Sequence, residues 1–152
     1  MADGMTTSDD VIPASGYAGD VSPNAAWNML EHEADAVLVD VRTSAEWNYV
    51  GVPDLAKLGK KIVPVEWQVY PTMQVNAGFA EALSQAGISG QRPVLFLCRS
   101  GVRSKAAAQA MTAHGMTRCY NILDGFEGPV DRAGHRGGTA GWKAAGLPWQ
   151  QK

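Results

Sequence analysis

Seven consecutive residues carry the most evident chemistry of this chain: Cys98-Arg99-Ser100-Gly101-Val102-Arg103-Ser104. They follow the apolar run Pro93-Val-Leu-Phe-Leu97 and precede the alanine-rich stretch from Lys105 to Ala108. The pattern predicts a buried strand, a tight loop opening on a cysteine, and then a helix. A loop of this kind turns backbone N–H groups inward, and the helix adds its positive end at the same place. Arg99 and Arg103 bring two full charges. These surroundings favour a thiolate at Cys98, and a thiolate beside an anion cradle is a nucleophile. Gly101 permits a strained or positive-φ turn at mid-loop. Ser100 is small and leaves the mouth open, and Val102 is expected to brace the loop against a neighbour.

The elements that must position this loop are readable on both sides of it. Tyr17–Val21 reads as a short edge strand. Ser22-Pro23 is a helix start, with Ser as N-cap and Pro at the first helical position. Trp27, Leu30 and Ala34 continue at helical spacing. Ala36-Val-Leu-Val-Asp-Val41 is too apolar to alternate, which fits a strand buried on both faces of a parallel sheet. Thr43-Ser-Ala-Glu46 has the capping-box pattern that opens a helix. Residues 51–61 read as an irregular connection, and Ile62–Val65 as an edge strand because of its proline. Phe79, Leu83 and Ala86 mark a helix that ends at Gly87. Ser104–His114 reads as a helix closed by Gly115, with His114 a favourable charge at its C-terminus. Cys119–Leu123 is read as the last strand. Residues 124–141 form a Gly-rich loop, and a short final helix is expected to hold Trp142 and stop near Gly146.

Strands alternating with helices predict an α/β fold: a parallel sheet with helices on both faces. Ligands of such folds bind outside the carboxyl ends of the strands, where Cys98 falls. The 152 residues suit one domain, read as a flexible leader over 1–16 and a folded unit over 17–150. A composition of 45% hydrophobic and 18% charged residues is ordinary for a globular protein. The net charge of −2 argues against non-specific nucleic-acid binding. No apolar run is long enough to span a bilayer, and the polar start lacks signal-peptide character. Two cysteines, Cys98 and Cys119, are too few for a disulfide framework, so a cytoplasmic location is expected. His32, His114 and His135 are too scattered for a metal pattern, and no metal or cofactor is expected.

Three blocks together resemble the rhodanese, or thiosulfate sulfurtransferase, family. Cys98-Arg-Ser-Gly-Val-Arg-Ser104 is similar to its active-site loop. Leu38-Val-Asp-Val-Arg42 with Glu46-Trp47 and Val52-Pro53 resembles its first signature. Asp124-Gly-Phe126, Trp142 and Ala145-Gly-Leu-Pro148 resemble its C-terminal end. The blocks span most of residues 17–149 in the expected order. The stretch Val50-Gly-Val-Pro-Asp-Leu55 lacks a His that the family often carries there. The resemblance implies a rhodanese-like fold on a five-stranded parallel sheet and a ping-pong reaction through a Cys98 persulfide. The implied partners are a small anionic sulfur donor such as thiosulfate and a thiol or cyanide acceptor. A protein acceptor in a sulfur relay is a further option.

On this reading Cys98 is the catalytic nucleophile, and Arg99, Ser100, Gly101, Val102, Arg103 and Ser104 form the substrate-binding and persulfide cradle. Arg103, with Arg99, holds the oxyanion end of the donor. Asp40 and Arg42 are expected to pair and support the loop, and Glu46 to cap its own helix. Cys119 is expected in the core. Trp67 and His135 lie on segments 66–72 and 126–141, which follow strand ends and are expected to wall the mouth. Deletion of 128–138 would then alter acceptor preference more than thiosulfate cleavage.

Two other function classes compete. A phosphatase or arsenate reductase on the same fold would use a loop one residue longer, commonly preceded by His. Here Leu97 precedes the cysteine and the loop is the shorter type. A non-catalytic interaction module would commonly have lost the cysteine.

Overall fold

The computed structural model describes residues 11–69 and 71–151. In chain order the elements are β1 (Ile12–Ala14), β2 (Tyr17–Val21), α1 (Pro23–His32), β3 (Val37–Asp40), α2 (Ser44–Tyr49), β4 (Val52–Pro53), β5 (Val63–Pro64), β6 (Gln68–Val69), β7 (Gln74–Val75), α3 (Phe79–Gln85), β8 (Val94–Leu97), α4 (Val102–Ala113), β9 (Cys119–Ile122) and β10 (Trp149–Gln150). The main sheet runs β1-β2-β9-β8-β3-β5. Its last five strands are mutually parallel, and β1 is added antiparallel to β2. The architecture is α/β with a mostly parallel sheet, as the alternating elements predict.

Strands β3 and β8 show why their sequences carry no polar alternation. Val37, Val39 and Val41 of β3 and its edge pack in one core with Val94, Phe96 and Cys98, under α3 and α4. Leu38, Leu95 and Leu97 point the other way, into a second core with α1 and Trp142. Each face of the central strands is therefore apolar, and each buried Val, Leu or Phe contributes roughly 1.5–3 kcal/mol. Cys98 continues the Phe96 face, which aims its sulfur toward α4. The small Ala107 and Ala108 of α4 are fully buried and let that helix lie close on the sheet.

Local signals account for the helix starts. The Ser22 side chain accepts from the Ala25 N–H with Pro23 in the first turn. Thr43 and Glu46 form the reciprocal capping box of α2.

Several expectations need correction. Tyr17–Val21 is a strand but not an edge, because β1 covers its outer side. The expected leader, 1–16, lies outside the described residues as far as residue 10, and from Ile12 to Ala14 it is strand β1. Helix α1 stops at His32, so Ala34 is not on it. Helix α4 begins two residues earlier than expected, at Val102, because Gly101 takes the cap with φ 107°. The segment holding Trp142 is a series of turns rather than a helix, and β9 is not the last strand. The chain instead ends on β10, which pairs with β4 across Trp149–Pro53 and Gln150–Val52. The main sheet has the five parallel strands that the resemblance implies, with β1 added antiparallel at one edge. The hairpin β6–β7 was not foreseen, its strands being two residues each.

Candidate active site

Cys98 follows β8 directly and is 1% exposed. Its Sγ accepts a hydrogen bond from the Gly101 N–H at 3.1 Å and lies 3.2 Å from Ser104 Oγ. Gly101 can turn that N–H inward because its positive φ is open to glycine. The sulfur faces an open cavity of about 590 Å³, also lined by Arg99, Ser100, Val102 and Arg103. Its far walls come from Glu46 and Val50 on the α2 side, Gln68 and Met73 on the β6–β7 hairpin, and Glu127 and Arg136 after β9.

The loop is held from below by the turn after β9. Phe126 N–H donates to the Cys98 carbonyl at 2.8 Å, and the Glu127 and Gly128 N–H groups donate to the Arg99 carbonyl at 3.0 and 3.1 Å. Such close approach requires Gly125, where a Cβ would sit 2.6 Å from the Arg99 carbonyl oxygen and overlap that of Cys98.

Arg103 is not a free cation. Its Nη1 and Nη2 donate to the two Glu46 carboxylate oxygens at 2.7 and 2.9 Å. Burial works against ionised Glu46, but hydrogen bonds and charge from Arg103, the Thr43 N–H and Arg42 outweigh it and hold the carboxyl below its ordinary range. Arg103 shows the mirror image: burial opposes its charge, and Glu46, Cys98 and Asp40 more than compensate. Glu46 thus caps α2, as its sequence pattern predicts, and also pins Arg103, which no local pattern reveals. Arg99 is exposed. Arg136 donates to the Gly128 carbonyl at 2.6 Å.

Asp40 and Arg42 form a fully buried pair at 2.7 Å, with the Arg42 backbone N–H and Nε donating to the second Asp40 oxygen. Arg42 also donates to the Gly51 carbonyl and stacks 4.4 Å over the Phe126 ring. Its Nη1 finds no hydrogen-bond partner in the described residues. The pair ties the end of β3 to the segment that supports the cysteine loop.

Three expected site residues sit differently from the expectation. Val102 is 75% exposed at the mouth, so it braces nothing. Trp67 turns inward, edge-on to Phe79 at 5.0 Å, and packs against the core. His135 is not among the residues that line the cavity; its backbone closes a turn with Asp131 while its neighbour Arg136 reaches the cavity. The segments 66–72 and 126–141 do supply lining, through Gln68, Glu127 and Arg136. Cys119 is buried, and burial pushes its thiol up to about 11, against a lowering hydrogen bond from Thr112. It stays protonated near neutral pH.

Known proteins of similar sequence place this geometry in a lineage. A family model described as "STR4 middle domain" matches residues 18–152. The solved structure of Rv0390 from M. tuberculosis is 52% identical, with a TM-score of 0.81 over 90% of this chain and 99% of that one. The chain belongs to the STR4 middle-domain family of rhodanese-like proteins. This rhodanese-like chain is also 40% identical over 125 residues to an uncharacterised protein of Rickettsia conorii, covering 82% of this chain and 91% of the relative. A thiosulfate sulfurtransferase, GlpE of Actinobacillus pleuropneumoniae, is 26% identical over 129 residues, 85% of this chain and 90% of its own. The polysulfide-sulfur transferase homodimer of Wolinella succinogenes shares the fold, with a TM-score of 0.58 at 21% identity over 87% of this chain and 77% of that one. These relatives support a sulfurtransferase-type rhodanese domain. Among the described residues, no helix of this rhodanese-like chain is long and apolar enough to cross a membrane.

Proposed function

We propose that this chain transfers a sulfane sulfur from thiosulfate, or a donor like it, to a thiol or to cyanide through a persulfide on Cys98. The Cys98 thiolate attacks the outer sulfur of the donor. A bond forms between Sγ and that sulfur, the donor's S–S bond breaks, and its electron pair leaves with sulfite. The negative charge now sits on the outer sulfur of Cys98–S–S⁻. The acceptor then attacks that outer sulfur, and the electron pair returns to Sγ as thiolate. Loop N–H groups stabilise both anions without reorganisation.

One observation carries this reading: a cysteine sulfur sits at the floor of an open cavity, held by the N–H of Gly101. Arg99 is the cation for the donor's sulfonate, being exposed and next to the nucleophile in sequence. Arg103 contributes through its pair with Glu46, which shapes the wall and offsets one negative charge. Arg136 and Glu127, across the mouth, face the acceptor. Asp40 and Arg42 keep the loop in place, the folded unit includes strand β1 from Ile12, and this reading carries a cytoplasmic location.

Intact mass spectrometry after thiosulfate treatment tests the proposal. A gain of about 32 Da, removable by cyanide and absent in Cys98→Ser, is expected. No gain on the wild-type protein, free of reducing agent, would overturn it.

A further inference from the structure

Behind the nucleophile lies a chain of polar groups, buried at Ser104 and Asn121 and half-buried at Asp20, that the reaction above does not use. Ser104 Oγ is 3.2 Å from Cys98 Sγ and 2.6 Å from Asn121 Oδ1. Asn121 Nδ2 donates to Asp20 Oδ1 at 3.0 Å, and the Tyr17 hydroxyl donates to the same oxygen at 2.7 Å. Asp20 and Asn121 are register neighbours on β2 and β9, so the sheet itself fixes their approach. Asn121 is 4% exposed, in a strand whose other members are Cys119, Tyr120 and Ile122.

The direction of these bonds follows from chemistry. Asp20 accepts, so Asn121 turns its NH₂ toward it and its carbonyl toward Ser104. A carbonyl only accepts, so at 2.6 Å the Ser104 hydroxyl donates to Asn121. That hydroxyl has one proton. Toward Cys98 it then presents a lone pair, which suits an S–H donor and not a thiolate. For Ser104 to donate to a thiolate, it must break the bond to Asn121 and leave a buried carbonyl unpaired, which is costly.

We propose that Asn121 is a positioning residue that withholds the Ser104 proton from the Cys98 thiolate, with Asp20 holding the Asn121 amide in the orientation this requires. The consequence for catalysis rests on the sulfurtransferase reading. In the persulfide, Sγ carries neither proton nor charge, so Ser104 keeps its bond to Asn121. The network thus opposes the free thiolate and not the loaded form. The thiolate keeps more of its nucleophilicity, which declines as a thiolate is stabilised, and loading is favoured.

Other charges act on Cys98 as well. Arg99 and Arg103 come from the loop and α4, and Glu46 from α2. Asp40, paired with Arg42, comes from β3, Asp20 from β2, and Asp124, Glu127 and Arg136 from the segment after β9. Of these only Asp20 loses a partner when Asn121 is replaced, and the Ser104→Ala background subtracts that effect, so the part of the shift that needs Ser104 reports the hydrogen-bond competition.

The test is the pH profile of Cys98 alkylation by iodoacetamide, which needs no sulfur donor and so stands apart from the test of transfer. In Asn121→Leu, of similar shape, the profile is expected to move toward acid by about one pH unit, tenfold in thiolate at a pH below the transition. Asn121→Ala, should the leucine variant melt early, is expected to move it in the same direction. In a Ser104→Ala background neither substitution should move the profile. No shift, an alkaline shift, or an undiminished shift without Ser104 would overturn the proposal.

Discussion

At the scale of single residues, the pair Arg103–Glu46 decides how the cavity beside Cys98 is charged. A guanidinium that spends both Nη groups on a carboxylate 57 residues earlier has little left for a sulfonate. Its removal is harmful for another reason: it leaves the Glu46 carboxylate without its counter-charge in the cavity wall, facing an incoming anion. Arg103→Ala is therefore expected to lower kcat/KM for thiosulfate by about 10- to 100-fold. Adding Glu46→Gln should restore much of that loss, because the repelling charge goes with its partner. If Arg103 gripped the donor directly, the double variant would be no better than the single one, and steady-state kinetics on both variants separate the two. The strand–loop–helix around Cys98 was legible from residue types alone, because a buried strand, a cysteine, a glycine and a helix lie in one short stretch. The Glu46 contact was not, since pairing across 57 positions leaves no local pattern. Asn121 and Asp20 did leave a trace, as polar residues in strands otherwise fit for burial.

At the scale of elements, the loop is only as accurate as the turn beneath it. Residues 124–128 pass so near the backbone of Cys98 and Arg99 that the only side chain tolerated at 125 is a hydrogen atom. Gly125→Ala would push the turn off the Cys98 and Arg99 carbonyls, break up to three backbone hydrogen bonds, and impose a side chain on a φ of 60°. The expected cost exceeds about 3 kcal/mol, from strain and overlap together. A urea melt that finds Gly125→Ala within about 1 kcal/mol of the wild type would show that the turn can retreat. The elements that carry the most burial were also the easiest to read. Strands β3 and β8 are apolar on both faces because two cores flank them, and that is a sequence signature. The two-residue strands β4, β6, β7 and β10 have no such signature, because their pairing depends on where the main sheet puts their neighbours. Trp142 misled for a related reason: it is buried by packing and by a bond from its Nε1 to the Pro148 carbonyl, not by a helix.

At the scale of the whole molecule, the mouth is built by two segments that the sheet brings together over one strand end. The first is the β6–β7 hairpin, anchored at its base by Asn76, whose N–H donates to the Trp67 carbonyl at 2.7 Å. The second leaves β9, runs past Glu127 and returns near its own start: Gly137 N–H donates to the Glu127 carbonyl, and Gly128 touches Ala140. Because those ends already meet, residues 129–138 can be excised and Gly128 joined to Thr139 with little movement of the turn at Gly125. The excision removes Arg136 and leaves Arg99, the loop amides and Cys98. A donor as small as thiosulfate needs only what remains, whereas an organic thiol bearing carboxylates, such as glutathione, also needs the wall. Single-turnover sulfite release is thus expected to stay within about threefold of the wild type, and turnover to glutathione to fall about tenfold. Turnover to cyanide, which is too small to reach the wall, serves as the control and should follow sulfite release. Equal losses with both acceptors would mean that the segment serves the loop and not the acceptor, and no loss with either would mean that the wall is idle.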